Sequence, residues 1–154
     1  MGVKRIAPRT GAAGRRVGVV VSRFNPDIGD ALLVQALRAL KDAGVGDDDV
    51  TIASVPGALE TPIVLQRMAQ SGDFDALVAL GAVVRGETYH FEIVCNESAR
   101  GLSEVALQFG IPVGNGILTC DTDDQARARL VKGYEAVQAA LEVANLFDDL
   151  DDLA

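Results

Sequence analysis

Residues 76–90, with the sequence ALVALGAVVRGETYH, decide the fold class of this chain. Ala76 to Leu80 is a short run of small and branched apolar residues, which is typical of a strand buried on both faces of a parallel sheet. Gly81 to Gly86 predicts a glycine-bounded loop, and a long helix is expected from about His90 to Phe109. A strand, a loop and a helix in this order form the first part of a βαβ unit.

The same order recurs along the rest of the chain. Further strands are predicted at 17–22, 50–54 and 113–118, and further helices at 30–43, 58–70, 122–130 and 134–147. The first helix has Leu33, Leu37 and Leu40 at helical spacing. This alternation predicts a flavodoxin-like three-layer α/β/α sandwich with a four-stranded parallel sheet. Such sheets bind ligands beyond the carboxyl ends of their strands, which makes 22–27, 54–60, 81–90 and 115–121 the candidate site.

Composition and charge limit the possible functions. The chain has 154 residues, 49% of them hydrophobic, with a net charge of −8, two cysteines and one histidine. We expect one domain at 17–147, a basic arm at 1–16 and an acidic, solvated tail at 148–154. The arm is either a disordered terminus or a segment that docks on another subunit. The acidic body argues against nucleic-acid binding, no apolar run could span a membrane, and the sparse cysteines favour a reducing cytoplasm.

The segment from Gly81 to His90 carries most of the recognisable chemistry. Its glycine spacing is that of a P-loop, but Glu87 replaces the required lysine and would repel a nucleoside triphosphate. Either a single phosphate binds at the helix N-terminus beside Thr88, or Thr88 is an ordinary N-cap. His90 is either a proton-transfer group or a surface histidine. Neither cysteine lies at a metal-ligand spacing from it, so we predict no metal site.

Other candidate residues also have two interpretations each. Phe24 either stacks on a flat heterocycle or seals the end of its strand, and Glu60 either accepts hydrogen bonds from ligand hydroxyls or is a solvated acid. Arg127, Arg129 and Lys132 form either a solvated helix face or part of an anion site across an interface. Cys95 and Cys120 are expected to be small, partly buried apolar residues.

Several collinear motifs resemble one enzyme family, the 6,7-dimethyl-8-ribityllumazine synthases. The similarity runs from about residue 17 to residue 147, and the combination of PGAxE with GETxH is highly specific. The motifs are SRFN at 22–25, VPGALETP at 55–62, GAVVRGETYHF at 81–91, VCNE at 94–97 and GILT at 116–119.

The resemblance implies the penultimate step of riboflavin synthesis. In this reaction 5-amino-6-(D-ribitylamino)uracil condenses with 3,4-dihydroxy-2-butanone 4-phosphate, phosphate and water are released, and no cofactor or metal is needed. His90 matches the proton donor of the family. The residues implied for the pyrimidine and ribityl groups are Phe24, Ala58, Leu59, Glu60, Ala82, Val83, Val84 and Asn115. Those implied for the phosphate are Glu87, Thr88 and Arg129, with Lys132 as a further candidate.

Two departures from the family pattern concern the ring contact at Asn115 and the assignment of Lys132. Asn115 stands where many members have a second aromatic residue, and the segment between Arg129 and Lys132 is several residues shorter than in many members. The resemblance implies a homopentamer with its sites between adjacent subunits, to which the N-terminal arm adds, and riboflavin synthase is a candidate partner. The competing interpretations are a non-catalytic flavin- or lumazine-binding module and a mainly structural assembly protein.

Overall fold

The computed structural model describes residues 2–153, in which parallel strands alternate with helices. The strands are β1 (Val17–Ser22), β2 (Val50–Val55), β3 (Ala76–Val84) and β4 (Val113–Cys120). The helices are α1 (Pro26–Asp42), α2 (Thr61–Ser71), α3 (His90–Phe109), α4 (Asp123–Arg127) and α5 (Lys132–Asp151), with 3₁₀ turns at Asp47–Asp49 and Ala58–Glu60. All strand pairs are parallel, and the order β2-β1-β3-β4 confirms the predicted four-stranded sheet.

Neighbouring side chains of β1 enter two separate hydrophobic cores. Val19 packs with α1 and α5 on one face of the sheet, whereas Val20 packs with α2 and α3 on the other. Both side chains have no exposed surface. A strand that is buried at every position therefore needs helices on both faces, which is the predicted three-layer arrangement.

The third strand is longer than its sequence suggests. We expected a loop from Gly81, but β3 continues to Val84 because β4 pairs with it from Leu77 as far as Val84. Gly81 does not end the strand; it permits a close approach to β1. A methyl group at this position would lie 2.8 Å from the Cβ atom of Ser22. The strand therefore carries the backbone of residues 81–84 into the candidate site.

The first helix begins earlier than expected, at Pro26 and not near residue 30. Proline suits the first helical turn because its missing N–H would have no intrahelical partner there. The buried face contains Ile28, Leu32, Ala36 and Leu40, whereas the predicted core residue Leu37 is 38% exposed. Because of this earlier start, α1 begins only two residues after Phe24.

The C-terminal helices also have different bounds from those predicted. A capping box formed by Thr122 and Gln125 starts the short helix α4, and α5 extends to Asp151. Val137, Leu141 and Ala144, which recur at helical spacing in α5, are all buried and form its packing face.

Residues 9–15 of the basic arm lie against α5 of the same chain. Arg9 pairs with Asp149 at 2.9 Å and Arg15 pairs with Asp148 at 2.5 Å. The buried amide of Asn145 donates to the carbonyl oxygens of Arg9 and Gly11 at 2.7 and 2.9 Å. Our expectation that the acidic residues after 147 are only solvated is therefore wrong for both aspartates. Neither of the two alternatives for the arm described this contact within the chain.

Within residues 2–153, none of the helices combines the length and the apolar character that a membrane span requires.

Candidate active site

A cavity of about 490 Å³ opens at the carboxyl edge of the sheet, where parallel α/β folds bind ligands. Nine of the residues that line it were candidates from the sequence: Phe24, Ala58, Leu59, Glu60, Ala82, Val83, Val84, Thr88 and His90. The others are Pro56, Gly57, Gly86, Phe91 and Val94. Three separate segments of the chain thus meet in one place, because β1, β2 and β3 end at the same edge of the sheet.

Phe24 forms one wall of the cavity and is 67% exposed. Its backbone N–H donates to the hydroxyl oxygen of Ser22 at 3.3 Å, which holds the turn after β1 close to the strand. A ring with this much free surface does not seal the end of the sheet. It presents an aromatic face on which a flat heterocycle can stack.

Asn25 is a site-forming residue that the sequence analysis did not single out. Its φ of 57° and ψ of 62° lie in the left-handed region, which asparagine adopts more readily than most residues. Its Nδ2 donates to the carbonyl oxygen of Ala82 at 3.0 Å and so ties the turn after β1 to β3. The Asn-Pro dipeptide at 25–26 is a turn signal that could have identified it.

The end of β3 forms the floor of the cavity. β1 pairs with β3 only as far as Leu80, whereas β4 follows β3 to Val84. Residues 81–84 therefore extend beyond β1, and Ala82, Val83 and Val84 line the cavity. An extended backbone that no longer pairs on one side can offer N–H and C=O groups to the polar edge of a ring.

The 3₁₀ turn at Ala58–Glu60 forms the opposite wall. Ala58 is buried, Glu60 is half-buried, and Leu59 is 38% exposed. The buried hydroxyl of Thr61 donates to the carbonyl oxygen of Ala58 at 2.7 Å and holds this turn against α2. The wall therefore combines apolar surface with one carboxylate that can accept hydrogen bonds from hydroxyl groups.

The start of α3 closes the cavity on the third side. Its N-cap is Tyr89, without a side-chain cap hydrogen bond, so of the two alternatives for Thr88 the ordinary N-cap is wrong. Thr88 and His90 are exposed and line the cavity. A helix N-terminus without a side-chain cap offers backbone N–H groups and a partial positive charge to an anion.

Four predicted site residues do not line this cavity: Glu87, Asn115, Arg129 and Lys132. Asn115 lies in the middle of β4, opposite Ala79, and its Oδ1 accepts the N–H of Ile117 at 3.0 Å.

The two cationic candidates lie beyond β4 in the sequence, and each contacts an oxygen atom of a residue near it in the chain. Arg129 lies in the turn between α4 and α5, where its Nη1 donates to the carbonyl oxygen of Gln125 at 2.8 Å. Lys132 begins α5, and its ammonium lies 3.4 Å from the carboxylate of Glu135. Both side chains are exposed, so another molecule can contact them, and neither lines the cavity of its own chain.

Neither thiol of the chain points to metal or nucleophilic chemistry. Burial is the main cause that raises the pKa of the Cys95 thiol, and the negative charge of Glu92 adds to it, which disfavours the reactive thiolate. Cys120 is buried. Residues 2–153 contain no group of three histidine, cysteine or acidic side chains arranged to hold a metal ion.

Comparison with known proteins points to one family. The family model described as 6,7-dimethyl-8-ribityllumazine synthase matches residues 14–148. A 6,7-dimethyl-8-ribityllumazine synthase from Methylobacillus flagellatus is 53% identical over 149 residues, which cover 96% of this chain and 100% of the relative. The enzyme of the same name from Ralstonia pickettii is 54% identical over 141 residues, covering 91% and 85%. The chain therefore belongs to the 6,7-dimethyl-8-ribityllumazine synthase family.

Proposed function

We propose that the cavity between Phe24 and His90 is the place where this chain carries out the reaction of its family. The reaction condenses 5-amino-6-(D-ribitylamino)uracil with 3,4-dihydroxy-2-butanone 4-phosphate to give 6,7-dimethyl-8-ribityllumazine, phosphate and water. The observation that carries this assignment is the meeting of an exposed aromatic ring, an unpaired strand end and the start of α3 in one cavity.

The pyrimidine and its ribityl chain fit the side of the cavity formed by β1, β3 and the 3₁₀ turn. The ring stacks on Phe24, and its polar edge meets the backbone of residues 82–84. The ribityl chain lies along Ala58 and Leu59, with its hydroxyl groups donating to Glu60. These roles use few side-chain functional groups, because most of the polar recognition comes from backbone.

The phosphate of the second substrate fits the start of α3. Thr88 supplies a hydroxyl, the first turn of the helix supplies backbone N–H groups, and Glu87 lies next to them in the chain. These groups carry no full positive charge. A dianion therefore needs a cation from elsewhere, and Arg129 is exposed but does not line the cavity of its own chain.

We therefore assign Arg129 to the cavity of an adjacent subunit in a homopentamer, together with Asn115 and, as a weaker candidate, Lys132. The free outer edge of β2, where Ile52 is 45% exposed, offers a place for the arm of a neighbouring subunit. A cyclic assembly repeats the same contact around the ring, so every cavity receives the same complement of residues. The pairing of residues 9–15 with α5 leaves residues 2–8 free to reach across.

His90 supplies the proton transfers of the reaction. The substrate amine attacks the ketone carbon and the carbinolamine loses water to form an imine; phosphate then leaves, and the ring closes with loss of a second water. Every step moves a proton to or from oxygen, nitrogen or carbon, and an imidazole group exchanges protons near neutral pH. Holding both substrates in one cavity supplies the remaining acceleration through proximity.

The direct test mixes the purified protein with both substrates and follows the absorbance of the lumazine product. We expect His90→Ala to lower kcat by on the order of a hundredfold while the Kd for the pyrimidine changes less than about twofold. Tyr89→Ala, which alters the neighbouring exposed residue outside the cavity, is the matched control. Pyrimidine binding without product formation by the unaltered protein would instead favour a binding module.

A mixing experiment tests the shared site. Arg129→Ala should raise KM for the butanone phosphate, whereas Arg127→Ala, two residues away and paired with Asp123, should not. Co-assembled His90→Ala and Arg129→Ala subunits should regain about a quarter of the sites, because random mixing places an intact His90 opposite an intact Arg129 at that frequency. No recovery would place both residues in the cavity of one chain.

The location of the protein in the cell is a separate proposal. We propose a cytoplasmic location, which the two free cysteines support because a reducing compartment keeps thiols unpaired. Partnership with riboflavin synthase stays a prediction, which co-purification of the two proteins would test.

A further inference from the structure

Arg85 connects three parts of the chain at the end of β3. Its Nε donates to Asp121 at 2.8 Å, its Nη1 donates to Glu92 at 2.8 Å, and its guanidinium carbon lies 4.4 Å from the centre of the Phe91 ring. Its backbone N–H donates to the carbonyl oxygen of Cys120 at 2.9 Å. The hydrogen bonds that Arg85 donates to Asp121 and Glu92 raise its pKa above its already high ordinary value, which keeps the group charged.

The ion pair of Arg85 and Glu92 joins the two ends of the segment that forms the proposed phosphate side of the cavity. Residues 86–90 lie between these partners, are all exposed, and lead into a helix without a side-chain cap. Phe91 is 9% exposed and lies beneath the guanidinium. Arg85 therefore fixes both ends of this segment, one through its own backbone and the other through Glu92 and Phe91.

The contact with Asp121 extends toward Arg129. The backbone N–H of Asp121 donates to the side-chain oxygen of Gln125 at 2.8 Å. The carbonyl oxygen of Gln125 in turn accepts from Nη1 of Arg129 at 2.8 Å. A series of hydrogen-bonded residues therefore begins at Glu92, passes through Arg85, Asp121 and Gln125, and ends at Arg129 of the same chain.

We propose that Arg85 is a positioning residue of the reaction: it holds the segment with Thr88 and His90 at the cavity of its own chain and, through Asp121, the turn whose Arg129 serves the cavity of the adjacent subunit. This inference rests on the roles proposed above for those three residues. A planar guanidinium can bind two carboxylates on different elements at once, whereas a lysine ammonium is a point charge on a flexible stem. Arg85 acts through the residues it holds and does not itself line the cavity.

Arg100 provides a matched control on the same helix that carries Glu92. It also pairs with two carboxylates, those of Glu97 and Glu104, but all three residues lie within α3 and connect nothing else. The side chain of Arg85 is 45% exposed and that of Arg100 is 59% exposed. Exposed ion pairs contribute little to stability, so loss of either arginine should shift the unfolding temperature similarly.

The experiment compares Arg85→Gln, Arg85→Lys and Arg100→Gln in the full-length protein. We expect Arg85→Gln to lower kcat/KM for the butanone phosphate by on the order of tenfold to a hundredfold, with the pyrimidine Kd changed less than about twofold. Arg85→Lys should recover part of this loss, since a lysine can still pair with one carboxylate. Arg100→Gln should match the unaltered protein in every assay.

Single substitutions of the two partners give a second readout. Glu92→Gln releases the segment with His90 and should mainly lower kcat, whereas Asp121→Asn loosens the turn near Arg129 and should mainly raise KM for the phosphate substrate.

Two results would overturn the proposal. One is an Arg85→Gln variant with the kinetics of Arg100→Gln. The other is an Arg85→Gln variant that binds both substrates more weakly to the same degree and whose unfolding temperature falls more than that of Arg100→Gln. The His90→Ala variant keeps these outcomes separate from the assignment of the site. If His90→Ala is inactive and Arg85→Gln is normal, only the role of Arg85 is wrong.

Discussion

Replacing Asn25 by alanine tests how the wall and the floor of the cavity are joined. Asn25 occupies the left-handed region of backbone conformation, and its Nδ2 donates to the carbonyl oxygen of Ala82 at 3.0 Å. Alanine loses both advantages, because it lacks the short polar side chain that lets asparagine adopt positive φ more readily, and it has no donor. We expect a less stable protein with weaker pyrimidine binding.

The size of the effect follows from these two contributions. A left-handed backbone costs alanine about 1–2 kcal/mol, and loss of one partly buried hydrogen bond costs about 1 kcal/mol. The free energy of unfolding should therefore fall by roughly 2.5 kcal/mol for Asn25→Ala. For a chain of this length each kcal/mol corresponds to about 3 °C, so Tm should fall by roughly 8 °C.

Asn25→Gly separates the two contributions. Glycine accepts the positive φ without strain but also lacks the donor, so its destabilisation should be only about 1–1.5 kcal/mol. Thermal unfolding of all variants should be compared at one protein concentration, since association of subunits shifts Tm.

The two variants can refute the reasoning separately. Equal Tm values for Asn25→Gly and Asn25→Ala would show that backbone conformation contributes nothing. An Asn25→Ala variant with the same Tm as the unaltered protein would refute both contributions.

Three further predictions concern other contacts described above. Gly81→Ala should destabilise the protein by about 1–3 kcal/mol and weaken pyrimidine binding, because the added methyl group collides with Ser22 beside Phe24. Asn145→Ala should release the arm from α5, which accelerates tryptic cleavage after Arg9. Alkylation of the Cys95 thiol by iodoacetamide should become rapid only at higher pH than for an exposed thiol, because a raised pKa lowers the thiolate fraction at any given pH.

Each of these predictions has its own control. Gly46→Ala adds a methyl group at an ordinary van der Waals distance of 3.9 Å from Oδ2 of Asp49, and an equal loss of stability there would contradict the collision at Gly81. Asn96→Ala alters an exposed asparagine of α3 and should leave tryptic cleavage unchanged. Cys120→Ser assigns the alkylation to Cys95, and a rate at neutral pH equal to that of free cysteine would contradict its raised pKa.

Much of the fold was predictable because apolar patterning dominates it. The strand at Val17–Ser22 has the predicted bounds, and the helix His90–Phe109 also matches. Gly81 misled the prediction because glycine commonly marks a loop, whereas here it serves a close contact between two strands that are far apart in sequence. Local patterns do not encode such a contact.

The candidate site was predictable where a residue lies between the end of a strand and the first turn of the helix that follows it. Phe24 and His90 fall in the cavity for this reason. Asn25 was missed because its role depends on a carbonyl 57 positions away. The pairing of Arg9 and Arg15 with α5 was not predicted. The basic arm and the acidic tail each have the composition of a solvated terminus, and neither composition indicates that the two segments contact each other.

The contact between Arg9 and Asp149 also has a topological consequence. It brings residue 9 of the arm beside residue 149 of α5, and neither residue lines the cavity, so a peptide linker could join these two segments on that side of the molecule. A circularly permuted protein could then begin in the exposed turn at Gly46, between α1 and β2, and still build the same sheet. In such a variant the contact between the arm and α5 would lie in the interior of the sequence. The cavity would form from strands connected in a new order.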